Sequence, residues 1–333
     1  MALLSLVFSG LLLLGQACGA GPQARPAAAR SPSPGCTIAF GYYDDKAPGD
    51  FSHLDHLEQQ INQHASLVHW YQQWGGDPQW TNLHRSDLQT VTDRGAVPLI
   101  TWEPWDPLQP QANLFPLEDI AAGKFDAHID SWGRGLRDFG RPVYLGFAKE
   151  MNEPTYPWGR GVNGNTPADY VAAYRHVHDR MVADGATNVR WVWTVDGGAD
   201  PNQQPPASAY YPGDGYTDWL GTDTYNFGTT QSWSTWRSAT DTIGQGYDMI
   251  AALDPSKPIM IFEIGSAEQG GEKAQWVREA ASVVPQQFPR VRALAWWGSL
   301  DGPYPFFRLD SSKASLQAGR DAFGKLPYCG SVS

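Results

Sequence analysis

The chain of 333 residues has few charged side chains and no dense cluster of Lys and Arg. Asp, Glu, Lys and Arg make up 18% of the residues, and the net charge is −11. Globular proteins usually have about a quarter of their residues charged. Nucleic acids and anionic membrane surfaces attract basic proteins, so this charge argues against both as partners. A neutral ligand fits this composition better.

Long apolar runs are also missing after the N-terminus. Residues 3–14 are almost wholly apolar, but this run is too short to span a bilayer and is typical of a signal peptide. We therefore expect a signal peptide over residues 1–20, a secreted protein and no membrane span. Lipid anchoring at Cys18 is the alternative. Residues 21–35 are rich in Pro, Ala and Ser, which predicts an extended linker.

Cysteine is scarce, with three residues in the whole chain. Cys18 belongs to the predicted signal segment, and Cys36 and Cys329 stand at the two ends of the remainder. In an exported protein such a pair predicts a disulfide. Closing so long a loop is expected to stabilise the fold by about 3–5 kcal/mol in the chain-entropy model.

Aromatic residues, in contrast, are plentiful, with 15 Trp and 14 Tyr. In a weakly charged protein, so many rings suggest stacking platforms for a flat, uncharged ligand such as a sugar ring. Trp158 and Trp297 are the preferred candidates, because each lies at or just past the end of a predicted strand. The full set of candidate platforms is Trp70, Trp74, Trp102, Trp105, Trp158, Trp296 and Trp297.

Eight short apolar segments recur after Cys36 and predict eight strands. They cover residues 37–40, 67–70, 97–101, 143–147, 189–193, 219–222, 259–262 and 293–297. Helical stretches separate most of them, and the clearest begins at Thr166-Pro167 and ends near Gly185. This alternation predicts one α/β domain over residues 36–333, a (β/α)8 TIM barrel. A doubly wound open sheet is the second choice, although the first strand lacks the Gly-rich turn of that fold.

Acidic residues directly follow two of the predicted strands. Glu150 comes after the fourth strand, and Glu263 comes after the seventh. The carboxyl ends of barrel strands meet at one rim, where the active sites of such barrels lie. Two carboxylates across a cleft are what hydrolysis of a glycosidic bond requires, one protonated and the other ionised.

The chain also resembles glycoside hydrolase family 26. Residues 149–159, with Tyr156-Pro157-Trp158-Gly159 at their end, are similar to the H-E-M-N-G-x-W-Y-P-W-G stretch of that family. The number of residues from Glu150 to Trp158 equals the number between the corresponding Glu and Trp of the family motif. Four further stretches match in order, at residues 70–76, 100–105, 188–193 and 220–226, so the resemblance runs over about residues 41–312.

The resemblance implies a (β/α)8 barrel that hydrolyses β-linked polysaccharides with retention of configuration. By this match Glu150 is the general acid/base, Glu263 is the nucleophile, and the Tyr225 hydroxyl holds the nucleophile in place. The family acts most often on β-mannan, with mixed-linkage β-glucan and β-1,3-xylan also known. The candidate substrate-binding residues are Tyr225, Trp158, Trp297, Trp296, Trp102, Glu103 and Asn226.

Two features of the fourth strand end depart from the family pattern. Lys149 stands where the family has His, which weakens the expectation of mannan and favours glucan. Neighbouring strand residues point to opposite faces, so Lys149 is expected to lie away from the cleft. If it does face the cleft, it favours ionised carboxylates and shifts activity toward acid pH.

The second feature is Asn152-Glu153-Pro154, which resembles the acid motif of related barrel families. This resemblance makes Glu153 the rival candidate for the general acid.

The sequence therefore predicts a secreted, retaining endo-β-glycanase, with mixed-linkage β-1,3-1,4-glucan as the best substrate. An endo-β-1,4-mannanase is the alternative, and a non-catalytic carbohydrate-binding barrel is the alternative of another class. The expected partner is a polysaccharide, and a monomer is expected. No metal-ligand spacing or phosphate-binding loop is found in the sequence, so no cofactor is expected.

Overall fold

The computed structural model describes residues 35–302, 304–325 and 327–329. The predicted signal peptide, with the possible lipid site at Cys18, and all but the last residue of the predicted linker lie outside these ranges. Those predictions therefore remain untested.

Eight parallel strands form a closed barrel. Each strand pairs with the next along the chain, and β1 pairs with both β2 and β8, which closes the ring. The (β/α)8 prediction is thereby confirmed, and the open-sheet alternative is wrong because an open sheet has two unpaired edges. The strands are β1 Ile38–Asp44, β2 Leu67–Gln73, β3 Val97–Glu103, β4 Val143–Phe147, β5 Val189–Asp196, β6 Trp219–Asn226, β7 Ile259–Ser266 and β8 Val291–Gly298.

Helices surround the barrel on its outer face. They are α1 Ser52–Ile61, α2 Pro78–Thr81, α3 Arg85–Asp93, α4 Leu117–Ala121, α5 Asp126–Phe139, α6 Pro167–Ala183, α7 Ala239–Ala251, α8 Lys273–Gln287 and α9 Lys313–Phe323. The α6 helix begins where the sequence predicts, because Thr166 and Asp169 exchange hydrogen bonds in a capping box. Among the described residues, no helix has the length and apolar character needed to cross a bilayer.

Apolar side chains fill both sides of the barrel wall. Inside the barrel, apolar residues from successive strands, including Leu67, Leu99, Met260 and Phe262, form one cluster. A larger cluster lies between the strands and the helices. The interior is thus a packed core, and the rim at the carboxyl ends of the strands is where the active sites of such barrels lie.

A short ninth strand, β9 Tyr328–Cys329, extends the sheet beside β1. Its pairing places Ile38 opposite Tyr328 and Ala39 opposite Cys329, so the two ends of the barrel domain are adjacent. The side chain of Cys329 lies outside the described part of the chain, and its disulfide with Cys36 stays a prediction.

We expect the mature protein, once denatured without reductant, to show no reactive thiol, because the predicted disulfide would use the sulfur atoms of both Cys36 and Cys329. The measurement is a thiol titration, with a reduced sample as the control in which both thiols react. Two reactive thiols in the unreduced sample would contradict the predicted disulfide.

Candidate active site

The carboxyl end of the barrel brings Glu150 and Glu263 together around the side chain of Lys149. The Lys149 Nζ atom lies 3.4 Å from Glu150 Oε2 and 3.1 Å from Glu263 Oε2. Because both oxygens contact the same nitrogen at these distances, they are at most about 6.5 Å apart. Retaining glycosidases have carboxyl groups about 5–5.5 Å apart and inverting ones about 6.5–9.5 Å apart, so this bound favours retention.

A β-bulge in β7 turns the Glu263 side chain toward the cleft. Ile261 pairs with Leu294 and Ile264 pairs with Trp296, so three steps along β7 match two along β8. If the unchanged sequence of β7 kept regular alternation, Glu263 would lie on the outer face with Ile261. Bulges occur next to active sites because they redirect a side chain in this way.

Irregular backbone does the same for the acidic residue after β4. The strand ends at Phe147, and both Ala148 and Glu150 have positive φ angles, of 46° and 57°. This left-handed conformation is uncommon for residues other than glycine, and it interrupts the alternation of side chains. As a result Lys149 and Glu150 both reach the cleft, and the expectation that Lys149 lies away from it is wrong.

Two tyrosine hydroxyls hold the carboxylate of Glu263. Tyr71 donates to Oε1 at 2.5 Å, and Tyr225 donates to Oε2 at 2.6 Å. The indole of Trp297 donates in turn to the Tyr71 hydroxyl at 3.1 Å. Tyr225 therefore makes the contact that the family resemblance implies, and both carboxylate oxygens are fixed before a substrate arrives.

The charges around Glu263 favour its ionised form. Burial alone would raise its pKa, but Lys149 and the hydroxyls of Tyr225 and Tyr71 outweigh burial and hold the pKa below its usual range. Burial would likewise lower the pKa of Lys149, yet the neighbouring carboxylates keep it well above its usual range. The site thus pairs a protonated lysine with an ionised glutamate.

A third carboxylate shares the same lysine. Asp223 Oδ2 accepts from Lys149 Nζ at 2.8 Å. Burial and the nearby charge of Glu263 raise the pKa of Asp223 well above its usual range. Three carboxyl groups around one ammonium carry excess negative charge, so the cluster tends to retain a proton.

Glu103 forms the opposite side of the rim at the end of β3. Its Oε2 accepts from Gln73 at 3.2 Å and from the indole of Trp105 at 3.0 Å. Burial raises its pKa to about 7, although Lys149 and these two donors act in the other direction. Asp196, at the end of β5, behaves alike: burial and the charge of Glu150 raise its pKa to about 7.

The predicted aromatic platforms divide into rings at the cleft and rings in the core. Trp297 stacks on Tyr43 at a centroid distance of 5.1 Å and contacts the site through Tyr71. Trp105 is half-buried at the rim. Trp158 is 2% exposed; its indole donates to the Lys149 carbonyl, and its ring stacks on Tyr156, so it supports the loop that carries Glu150.

The remaining tryptophan predictions need correction. Trp102 and Trp296 are completely buried, because both point outward into the layer between strands and helices. Trp102 packs on Trp132, and Trp296 donates to the Phe307 carbonyl. Trp70 and Trp74 belong to the same layer, each 5% exposed.

The prediction that Asn226 binds substrate also needs correction. Asn226 is 1% exposed, and its side chain is occupied by the protein itself. It donates to Ser266 Oγ and accepts from the backbone of Gly228 and Arg237. Asn226 therefore fixes the loop that follows β6.

Sequence reasoning assigned no role to His69 and Tyr71, which both face the site. The His69 Nε2 atom lies 2.7 Å from Thr101 Oγ1 and 3.8 Å from Glu263 Oε1. Burial lowers the pKa of His69 to about 4, so it is neutral at ordinary pH. Strand alternation could have placed both residues at the site. Leu67, His69 and Tyr71 occupy every second position of β2, so their side chains must share its inner face.

The family model described as Glycosyl hydrolase family 26 matches residues 120–263, a span that begins before β4 and ends at Glu263. This span of the chain is a family 26 sequence. The resemblance predicted from the motifs around Glu150 is therefore confirmed.

Curated relatives extend the comparison beyond this span. Endoglucanase H of Acetivibrio thermocellus is 36% identical over 261 residues, which cover 78% of this chain and 27% of that protein. Beta-1,3-xylanase TXYA of a Vibrio species is 35% identical over 106 residues, which cover 32% of this chain and 21% of that protein. The chain thus spans about a quarter of the length of the curated relatives it matches.

Solved structures of family 26 share the barrel. The catalytic domain of the Bacillus sp. JAMB-750 GH26 endo-beta-1,4-mannanase superposes with a TM-score of 0.66 at 16% identity, covering 88% of this chain and 87% of that one. Bacillus subtilis mannanase man26 gives a TM-score of 0.63 at 17% identity, and the match covers 89% of this chain and 87% of that one. At this identity the likeness establishes the fold.

Proposed function

We propose that this family 26 protein is a retaining endo-β-glycanase with Glu150 as general acid/base and Glu263 as nucleophile. The observation that carries the proposal is the shared contact of both carboxylates with Lys149 Nζ, which bounds their separation at about 6.5 Å. A single sugar ring can then reach both groups, as the double-displacement mechanism requires.

In the first step, Glu150 gives its proton to the glycosidic oxygen while a Glu263 oxygen attacks the anomeric carbon. The bond from that carbon to the leaving oxygen breaks, and a covalent glycosyl-enzyme forms. In the second step, the ionised Glu150 takes a proton from water. The water oxygen attacks the anomeric carbon, releases Glu263 and leaves Glu150 protonated again.

The surroundings of Glu263 suit a nucleophile. Tyr71 and Tyr225 each hold one carboxylate oxygen, which restricts rotation of the side chain and directs it at the cleft. Lys149 keeps the carboxylate ionised. Glu150 is the more exposed partner, with 16% of its side chain accessible against 3% for Glu263, which suits a group that must meet both the leaving oxygen and water.

We expect replacement of Glu153 by Gln to leave kcat within about threefold of the wild type, because this half-buried side chain makes no contact with Lys149 or Glu263. Replacement of Glu150 by Gln is the matched comparison and should lower kcat by several powers of ten. Steady-state rates on a polysaccharide measure both. Loss of turnover in Glu153→Gln with retention in Glu150→Gln would reverse the assignment of the acid.

For the substrate we propose mixed-linkage β-1,3-1,4-glucan. The presence of Lys149 where the mannan-type family motif has His supports this choice, and so does the relative named as an endoglucanase. An endo-β-1,4-mannanase is the second candidate, since several solved structures with this fold are described as mannanases.

A substrate panel tests both the activity and the substrate. The protein is incubated with lichenan, mannan, β-1,3-xylan and laminarin, and new reducing ends are measured over time. We expect the highest rate on lichenan. A higher rate on mannan would favour the mannanase, and binding without new reducing ends on any of the four would favour the non-catalytic carbohydrate-binding barrel.

The protein is further proposed to be exported, on the sequence of residues 1–20 and the two cysteines retained after it. Residues 36–333 would then form the catalytic domain, preceded by a linker. Export suits an activity on polysaccharides, which are too large to enter a cell.

A further inference from the structure

Trp233 is the largest exposed apolar side chain among the described residues, with 69% of its surface accessible. It lies in the loop between β6 and α7, which begins at the same end of the barrel as Glu150 and Glu263. An indole left in water at the rim of a cleft is a candidate contact surface, since Trp offers a large flat apolar face.

Aromatic rings connect Trp233 to the nucleophile. The Trp233 ring contacts Phe227 at a centroid distance of 5.0 Å, and Phe227 contacts Tyr225 at 5.9 Å. The Tyr225 hydroxyl donates to Glu263. Trp233 therefore lies within about 11 Å of the ring that holds the nucleophile, so the exposed indole continues the cleft.

Hydrogen bonds fix the loop that carries Trp233. The Asn226 side chain accepts from Gly228 and Arg237, which closes the loop at its base. Ser234, next to Trp233, donates to the Gly228 carbonyl at 2.8 Å. Gly228 has a φ of 55°, and a Cβ there would lie 1.9 Å from the Gln269 carbonyl oxygen, so this turn requires glycine. A platform held in place loses little entropy when it binds.

The chemistry of the loop identifies the type of ligand. Residues 228–236 carry hydroxyl, amide and aromatic groups and no charge. Such a surface offers weak donors and acceptors beside a flat apolar face, which suits a neutral ring bearing hydroxyl groups.

We propose that Trp233 is a sugar-binding platform for the same glycan chain that is cleaved between Glu150 and Glu263. Its indole stacks on a sugar beyond the one attached to Glu263, so the protein binds long chains more tightly than short ones. This inference rests on the proposed glycanase function.

The test compares wild type with Trp233→Ala on glycans of increasing length. We expect Trp233→Ala to lower kcat/KM about tenfold on mixed-linkage glucan and by less than twofold on an aryl glycoside of one or two sugars. Trp233→Phe should recover most of the loss, because the flat ring returns. Val182→Ala is the matched control: Val182 is also exposed, at 46%, but lies near the end of α6 at the opposite end of the barrel.

A second measurement separates binding from hydrolysis. In native gels containing mixed-linkage glucan, Glu263→Gln should be retarded, and Glu263→Gln with Trp233→Ala should be retarded less. If the wild type binds but releases no reducing ends, the proposed hydrolysis fails while the gels still test the platform. Equal retardation together with equal kcat/KM at every chain length would overturn the platform, and a wild type that neither binds nor cleaves any of the four polysaccharides would overturn both.

Discussion

Replacement of Glu263 by Ala is expected to lower turnover by about four to six powers of ten, since no covalent glycosyl-enzyme can form without the carboxylate. Added azide should restore turnover by entering the space that the side chain leaves. Azide then attacks from the nucleophile's side of the sugar, so the product is the α-glycosyl azide, with configuration opposite to that of the substrate. Nuclear magnetic resonance of the product reads this configuration directly.

Glu150→Ala provides the comparison for this experiment. With an activated aryl leaving group, the first step needs little acid assistance, so the glycosyl-enzyme still forms. Azide should then give the β-glycosyl azide, because it attacks the glycosyl-enzyme. The two variants are therefore expected to give products of opposite configuration. An α-azide from Glu150→Ala, or no rescue of Glu263→Ala while the folded structure is retained, would contradict the assigned roles.

Removal of the charge of Lys149 is expected to displace the acid limb of the pH profile toward higher pH. Glu263 must be ionised to attack, and Lys149 at 3.1 Å is the strongest of the groups that lower its pKa. In Lys149→Met the pKa of Glu263 should rise, because the neighbouring positive charge is gone. Activity is then lost at acid pH as the carboxyl group takes up its proton, and it recovers as the pH rises. The measurement is kcat/KM as a function of pH.

Control variants separate this effect from a general change in charge or folding. Lys124→Met removes a surface lysine that pairs with Asp119 and should leave the profile unchanged. Lys149→Arg keeps the charge and should retain the wild-type acid limb even where its rate is lower. If Lys149→Met does not fold, Lys149→Gln removes the charge and keeps a polar side chain, and a wild-type profile in that variant would contradict the role given to Lys149.

The barrel and the rim position of both glutamates could be predicted from sequence, whereas the orientation of side chains at the rim could not. Apolar segments at regular spacing indicate the strands, and their last residues must meet at one end. Orientation is different, because strand alternation fails where the backbone departs from regular geometry. Positive φ angles at Ala148 and Glu150 bring Lys149 into the cleft. The residue types at these positions do not predict such angles.

Strand alternation, applied more strictly, would have corrected two of the aromatic predictions. Along β8, Ala293 and Ala295 face the barrel interior, so Trp297 belongs to the inner face and Trp296 to the outer one. Small residues at every second position mark the crowded inner face of a barrel strand. The same rule places Trp102 outward, two residues after Ile100.

The bulge in β7 also has a consequence for protein engineering. Placing the unchanged sequence of β7 on a strand of regular pairing would give an unbroken ladder of hydrogen bonds and rotate Glu263 to the outer wall. A carboxylate would then lie among the aliphatic side chains beside Ile261, without the partners it now has. A design that places this pair of glutamates on an idealised barrel must therefore include the β-bulge as well as the glutamate.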